Sequence, residues 1–164
     1  MEVAKKKEIR YCNATKRIPE SDDSVDLIYS CHMIEHLDKD ETSQLFQECK
    51  RVLKPGGIVR IVVPDFDKLI NSYNNNSDVD QFIHDSGLVA KKPKTIIKIL
   101  QYLLQGHCWH HQMFTKNYLH SCIKSHGFLK IIFFEAGESN IPFENSIDYF
   151  DFSEESIYCE FTNN

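Results

Sequence analysis

A chain of 164 residues, 41% hydrophobic and 26% charged, has the size and apolar content of one globular domain with a buried core. Its formal net charge of -5 and pI near 5.9 supply no global basic field, which excludes a nucleic-acid backbone as the expected partner and leaves a small molecule as the better fit. Cys12, Cys31, Cys49, Cys108, Cys122 and Cys159 show no C-x-x-C spacing, the first residues lack the apolar core of a signal peptide, and no apolar stretch reaches the length of a membrane span, so a reducing cytoplasm is the expected compartment.

In chain order, residues 2–8 read as the end of a helix and 9–12 as a short strand, before a polar loop marked by Pro19, Ser21, Asp22 and Asp23. Residues 25–30 are apolar at nearly every position except Asp26, the pattern of a strand buried on both faces of a parallel sheet. Asp38 and Glu41 have capping-box spacing, and Leu45, Phe46, Cys49, Val52 and Leu53 then share one face, predicting a helix over 39–53. Lys54-Pro-Gly-Gly57 ends that helix, and the β-branched run 58–63, closed by Pro64, is the next strand. Strand, helix and strand in this order make a βαβ unit with a parallel pair.

A short helix around Lys68 is expected before a loop over 71–80, rich in Asn, Ser and Asp. Both a lid and a plain surface loop are open to that segment. Pro93 can open a helix whose apolar stripe includes Ile96, Ile97, Ile99, Leu100, Leu103 and Leu104, so 71–106 is where a lid or insertion would sit. Residues 115–125 place Tyr118, Leu119, Cys122 and Ile123 on one helical face and stop at Gly127. Residues 129–134 and 156–161 read as strands, expected as an antiparallel pair at the sheet edge. No repeat or linker divides the chain, so 1–164 reads as one unit.

The segments Asp22-Asp-Ser-Val-Asp-Leu-Ile-Tyr-Ser, Glu35-His-Leu, Glu48-Cys-Lys-Arg-Val-Leu-Lys-Pro-Gly-Gly and Val63-Pro-Asp65 occur as one ordered set. The set resembles the fourth-to-fifth-strand region of class I S-adenosylmethionine-dependent methyltransferases of the type 11 group. His107-Cys-Trp-His-His-Gln-Met-Phe-Thr115, His126-Gly-Phe128 and Glu155-Ser-Ile-Tyr-Cys-Glu160 are similar to the later part of that group. The resemblance implies an α/β fold, a truncated Rossmann-like methyltransferase sheet with helices on both faces. Of the family's strand order 3-2-1-4-5-7-6, strands 3, 4, 5, 7 and 6 are expected, the chain being the C-terminal portion of the domain. Gly56, Gly57, Gly87, Gly106, Gly127 and Gly137 form no G-x-G, so the family's glycine-rich cofactor loop has no counterpart here. Strand 25–30 would then show an unpaired apolar edge. A second copy of the chain ranks first as its cover, ahead of the displaced strand 9–12 and of a separate polypeptide.

The same resemblance assigns the site. S-adenosylmethionine is the implied cofactor, with Asn13, Ala14 and Thr15 beside the adenine and Cys31, His32 and Met33 beside the methionine moiety. Asn13 can equally satisfy a turn, and Met33 can equally be core. Glu35 and His36 would face the acceptor, with His36 as general base, though capping and packing is the competing role for both. Asp65, His107 and His111 would line the pocket of a small-molecule acceptor, surface placement being the alternative for the two histidines. The crowding of His107, Cys108, His110 and His111 lacks the spacing of a structural zinc site, so no metal is expected from it.

Two functions follow. One is a methyltransferase for a small-molecule acceptor, inactive as an isolated chain for want of the glycine loop. The alternative is a non-catalytic methyltransferase-like fragment or association module.

Overall fold

The computed structural model describes residues 10–88, 109–142 and 155–163. Strand β1 (Val25–Cys31) leads through a 3-10 turn (Ile34–His36) into helix α1 (Lys39–Val52), and β2 (Leu53–Pro64) returns parallel to β1. Helices α2 (Phe66–Asn76), α3 (Val79–Asp85) and α4 (Lys116–Ser125) follow, then β3 (Leu129–Phe134) and β4 (Ser156–Thr162). The strands form one sheet in the order β1-β2-β4-β3, with β4 antiparallel to both of its neighbours. This is the expected α/β architecture, the four strands taking places 4, 5, 7 and 6 of the family's order.

Local chemistry explains the elements. The Asp38 side chain accepts from the Glu41 amide and the Glu41 side chain from the Asp38 amide, so the capping box forms as its spacing predicts. Leu45, Phe46 and Cys49 of α1 are buried in one cluster with Val59 and Ile61 of β2, Phe161 of β4 and Leu119 and Ile123 of α4. Each Leu, Ile or Phe so buried contributes about 1.5–3 kcal/mol. The intervening β2 residue Arg60 points to the opposite face, fully buried, and donates to Glu160 of β4 at 2.7 Å. No helix among the described residues is long and apolar enough to cross a membrane.

Two expectations change. Residues 10–12 belong to no strand, and Ile9 lies outside the described residues. In the family's order two strands separate strand 3 from strand 4, and among the described residues none flanks β1 on its outer side, so 10–12 has no sheet neighbour. The segment 71–80 is not a loop: α2 continues to Asn76, Ser77 turns the chain with φ 54°, and α3 begins at Val79. Asp65 and Asp78 cap these helices, and Tyr73 meets Phe82 at 5.2 Å between ring centroids, a tertiary contact that outweighs the low helix propensity of Asn and Ser. β3 and β4 form the expected antiparallel pair at one edge of the sheet, with β3 outermost. The helix expected after Pro93 lies outside the described residues.

Candidate active site

The carboxyl ends of β1 and β2 carry the polar groups. After Cys31 the chain turns sharply at His32, whose φ is 45° and whose amide donates to Val62 at 2.9 Å. Its ring Nε2 lies 2.9 Å from the Ser156 hydroxyl and its Nδ1 3.5 Å from Glu35. Glu35, in the 3-10 turn, is buried, with Oε1 also 3.9 Å from His36 Nε2. Burial pushes the Glu35 carboxyl above its ordinary range, opposed by its own backbone amide and by charge on His36.

Residues 109–114 form a strap across this turn. The amides of His111 and Gln112 both donate to the Glu35 carbonyl, at 2.7 and 3.1 Å. The Gln112 side chain donates to Leu37 and Asp38 carbonyls and to the Thr42 hydroxyl, and the Phe66 amide donates to the Phe114 carbonyl. The strap brings His110 to 5.0 Å from His36, ring to ring and edge-on. Burial, then charge on His36, hold His110 below its ordinary range, opposed by a hydrogen bond to the Ser86 backbone.

Between strap, α2 and α3 lies an open cleft of about 530 Å³, lined by His32, Asp65, Lys68, His84, Asp85 and His110 among others. The Asp65 carboxylate there accepts from the Asp67 and Lys68 amides. A second cavity, of about 320 Å³ and more apolar, opens beside β1 and is lined by Ala14, Ile28, Cys31, Met33, Phe46 and others. Ligands of open α/β sheets bind outside the carboxyl ends of the strands, which is where the polar cleft sits.

Comparison with known proteins bears on the fold. The methyltransferase domain family matches residues 1–61. A methyltransferase of Methanosarcina mazei superposes with TM-score 0.54 at 17% identity, over 92% of this chain and 64% of that one. A Pyrococcus horikoshii protein gives 0.52 at 15%, over 92% and 57%. Human N-acetylserotonin methyltransferase, solved with S-adenosylmethionine, gives 0.51 at 15%, over 95% and 33%. The chain has the fold of a class I S-adenosylmethionine-dependent methyltransferase. It spans less than two thirds of the length of each of these structures. No curated protein sequence matches it significantly.

Within the methyltransferase fold the residues named from sequence separate into groups. His32 and Asp65 line the polar cleft, whereas Ala14, Cys31 and Met33 line the apolar cavity. Asn13 Oδ1 accepts from the Thr15 amide and hydroxyl at 3.1 and 2.8 Å, so the two residues are engaged in their own turn. Glu35 and His36 stand together behind His32 and His110. His111 is exposed and is not among the cleft's lining residues; its neighbour His110 takes that place. His107 lies outside the described residues. The sequence brings His110 forward only as part of the crowded 107–111 cluster and not as a pocket residue, because nothing local to residues 107–111 signals a partner at 35–36.

Proposed function

We propose that this chain is the acceptor-side part of an S-adenosylmethionine-dependent methyltransferase acting on a small molecule, and that it is inactive as an isolated chain because its 164 residues contain no glycine-rich cofactor loop. The observation that carries the reading is the polar cleft at the carboxyl ends of a parallel β-strand pair, on a methyltransferase fold. Catalysis in such a site is mainly the alignment of a nucleophile with the sulfonium methyl, helped by a base that takes the proton released. His36 is that base in our reading, with the cleft-lining His32 and His110 beside it. Glu35, shut off from solvent, acts through these rings as a positioning residue.

A second reading, an association module, is favoured by one observation. The apolar cavity is lined by Ile28 of the edge strand β1 together with Leu45, Phe46 and Cys49 of α1 and Val59 and Ile61 of β2, and strand edges of this kind take up partners. A second copy of the chain is the proposed partner.

Titration of S-adenosylhomocysteine by calorimetry, with light scattering on the same sample, separates the readings. Saturable one-to-one binding ties the chain to cofactor chemistry and overturns the proposed inactivity in isolation at its first step. Absence of heat at about millimolar ligand, with a scattering mass of two or more chains, favours the association module.

A further inference from the structure

The turn after β1 and the strap place three ligand-bearing side chains together. One donor atom from each of Glu35, His36 and His110 lies within 4.8 Å of the others. A tetrahedral zinc ion with bonds of about 2.1 Å sets its ligand atoms about 3.4 Å apart, a closure within reach of small side-chain rotations.

The polar state of the three groups asks for a cation. Both carboxylate oxygens of Glu35 are buried and have no hydrogen-bond partner among the described residues, the rings of His32 and His36 standing off at 3.5 and 3.9 Å. Buried carboxylates are ordinarily paired or bound to metal. His36 Nδ1 lies 3.1 Å from the Trp109 carbonyl oxygen, which can only accept, so that nitrogen carries a proton and in the neutral ring Nε2 presents the lone pair. Nε2 lies 3.9 Å from Glu35 Oε1, so with the ring neutral two acceptors meet there and a cation between them satisfies both. A histidine anchored through one nitrogen to a backbone carbonyl is the usual arrangement of a metal ligand.

The third ring is seated by a position that only glycine fills. A Cβ at Gly87 would come within 2.5 Å of the His110 ring, and its φ is +66°. The strap is tied by the amides of His111 and Gln112 to the Glu35 carbonyl, so the two halves of the cluster cannot drift apart independently.

We propose that Glu35, His36 and His110 bind a divalent transition-metal ion, zinc being the occupant that suits two imidazoles and one carboxylate. Three protein ligands leave a coordination position for water. His110 also lines the polar cleft, so the ion would stand at its wall. The site does not depend on cofactor binding. If both hold, a metal-bound water takes the proton-accepting part given above to His36.

The test is titration of the metal-free chain with Co²⁺ at neutral pH, read by visible absorption, followed by displacement with Zn²⁺. We expect one equivalent bound, ligand-field bands without a thiolate-to-cobalt band, and full displacement by zinc. Glu35→Gln and His110→Ala should each weaken binding at least about tenfold, whereas His120→Ala on α4 should not. Binding that survives Glu35→Gln, a thiolate band, or no binding at about millimolar Co²⁺ overturns the site. Circular dichroism checks each variant, and if His110→Ala does not fold the near-isosteric Glu35→Gln decides. S-adenosylhomocysteine titration of the same samples reports on the methyltransferase reading separately.

Discussion

The His111 amide donates to the Glu35 carbonyl at 2.7 Å, joining the turn after β1 to the strap before α4. The buried Gln112 beside it extends the joint by donating to Leu37, Asp38 and Thr42. Gln112→Ala should therefore remove the side-chain donor to the Leu37 carbonyl and the Thr42 hydroxyl, the Asp38 carbonyl still accepting from Thr42, and lower stability by about 1–3 kcal/mol. Urea unfolding measures the loss; a midpoint equal to the wild type's would mean that the strap is held by other contacts.

Gly87→Ala combines two penalties, a left-handed backbone and a collision with the His110 ring at 2.5 Å. The backbone penalty alone is about 1 kcal/mol. A fall in melting temperature with displaced His110 resonances is the expected result, and unchanged His110 chemical shifts would count against its seat under Gly87.

Glu48 accepts from Arg51 at 2.7 and 2.8 Å and from the Ile18 amide at 2.8 Å. The Arg51 hydrogen bond is the main reason that its carboxyl falls from the ordinary 4.5 to about 2. A carboxyl lowered on folding stabilises the native state fully above pH 4.5, and the contribution fades as pH drops through about 2. Because the group is near the surface, about 1 kcal/mol is the appropriate scale. In Glu48→Gln, stability at neutral pH should fall by that amount and its decline across this window should flatten; parallel profiles for the two proteins would refute the assignment.

Burial pushes the thiols of Cys49 and Cys159 up to about 12, while Cys12 is exposed. The thiolate is the reactive form. Among the described cysteines, iodoacetamide should modify Cys12 first and the half-buried Cys31 and Cys122 more slowly, reaching Cys49 and Cys159 only on unfolding. Peptide mapping against time checks the order, and early labelling of Cys49 would contradict its place in the core.

Much of this fold is legible in sequence because its periods are strong. α1 is foretold by Asp38, Glu41 and the apolar face through Val52, and β1 and β2 by continuous apolar runs. α2 and α3 are harder: Asn71 to Asp80 lacks an apolar stripe, and the contact of Tyr73 with Phe82 that supports the pair is tertiary. Asp78 with Gln81 was the available clue, since Asp78 accepts from the Gln81 amide as an N-cap. The site divides in the same way. His32 and Asp65 follow directly from the ends of strands, whereas the meeting of His110 with His36 depends on a strap whose fold no local pattern encodes.

The interior position of β4 also sets an order of events in synthesis. β2 emerges from the ribosome long before its neighbour, and Ser156 to Phe161 are buried while β3 reaches the sheet only through β4. Translation must therefore pass Thr162 and clear the exit tunnel before β3 can join the β1–β2 pair. Until then β2 and β3 keep their inner edges unpaired, and the apolar surface that β4 covers stays exposed on the nascent chain.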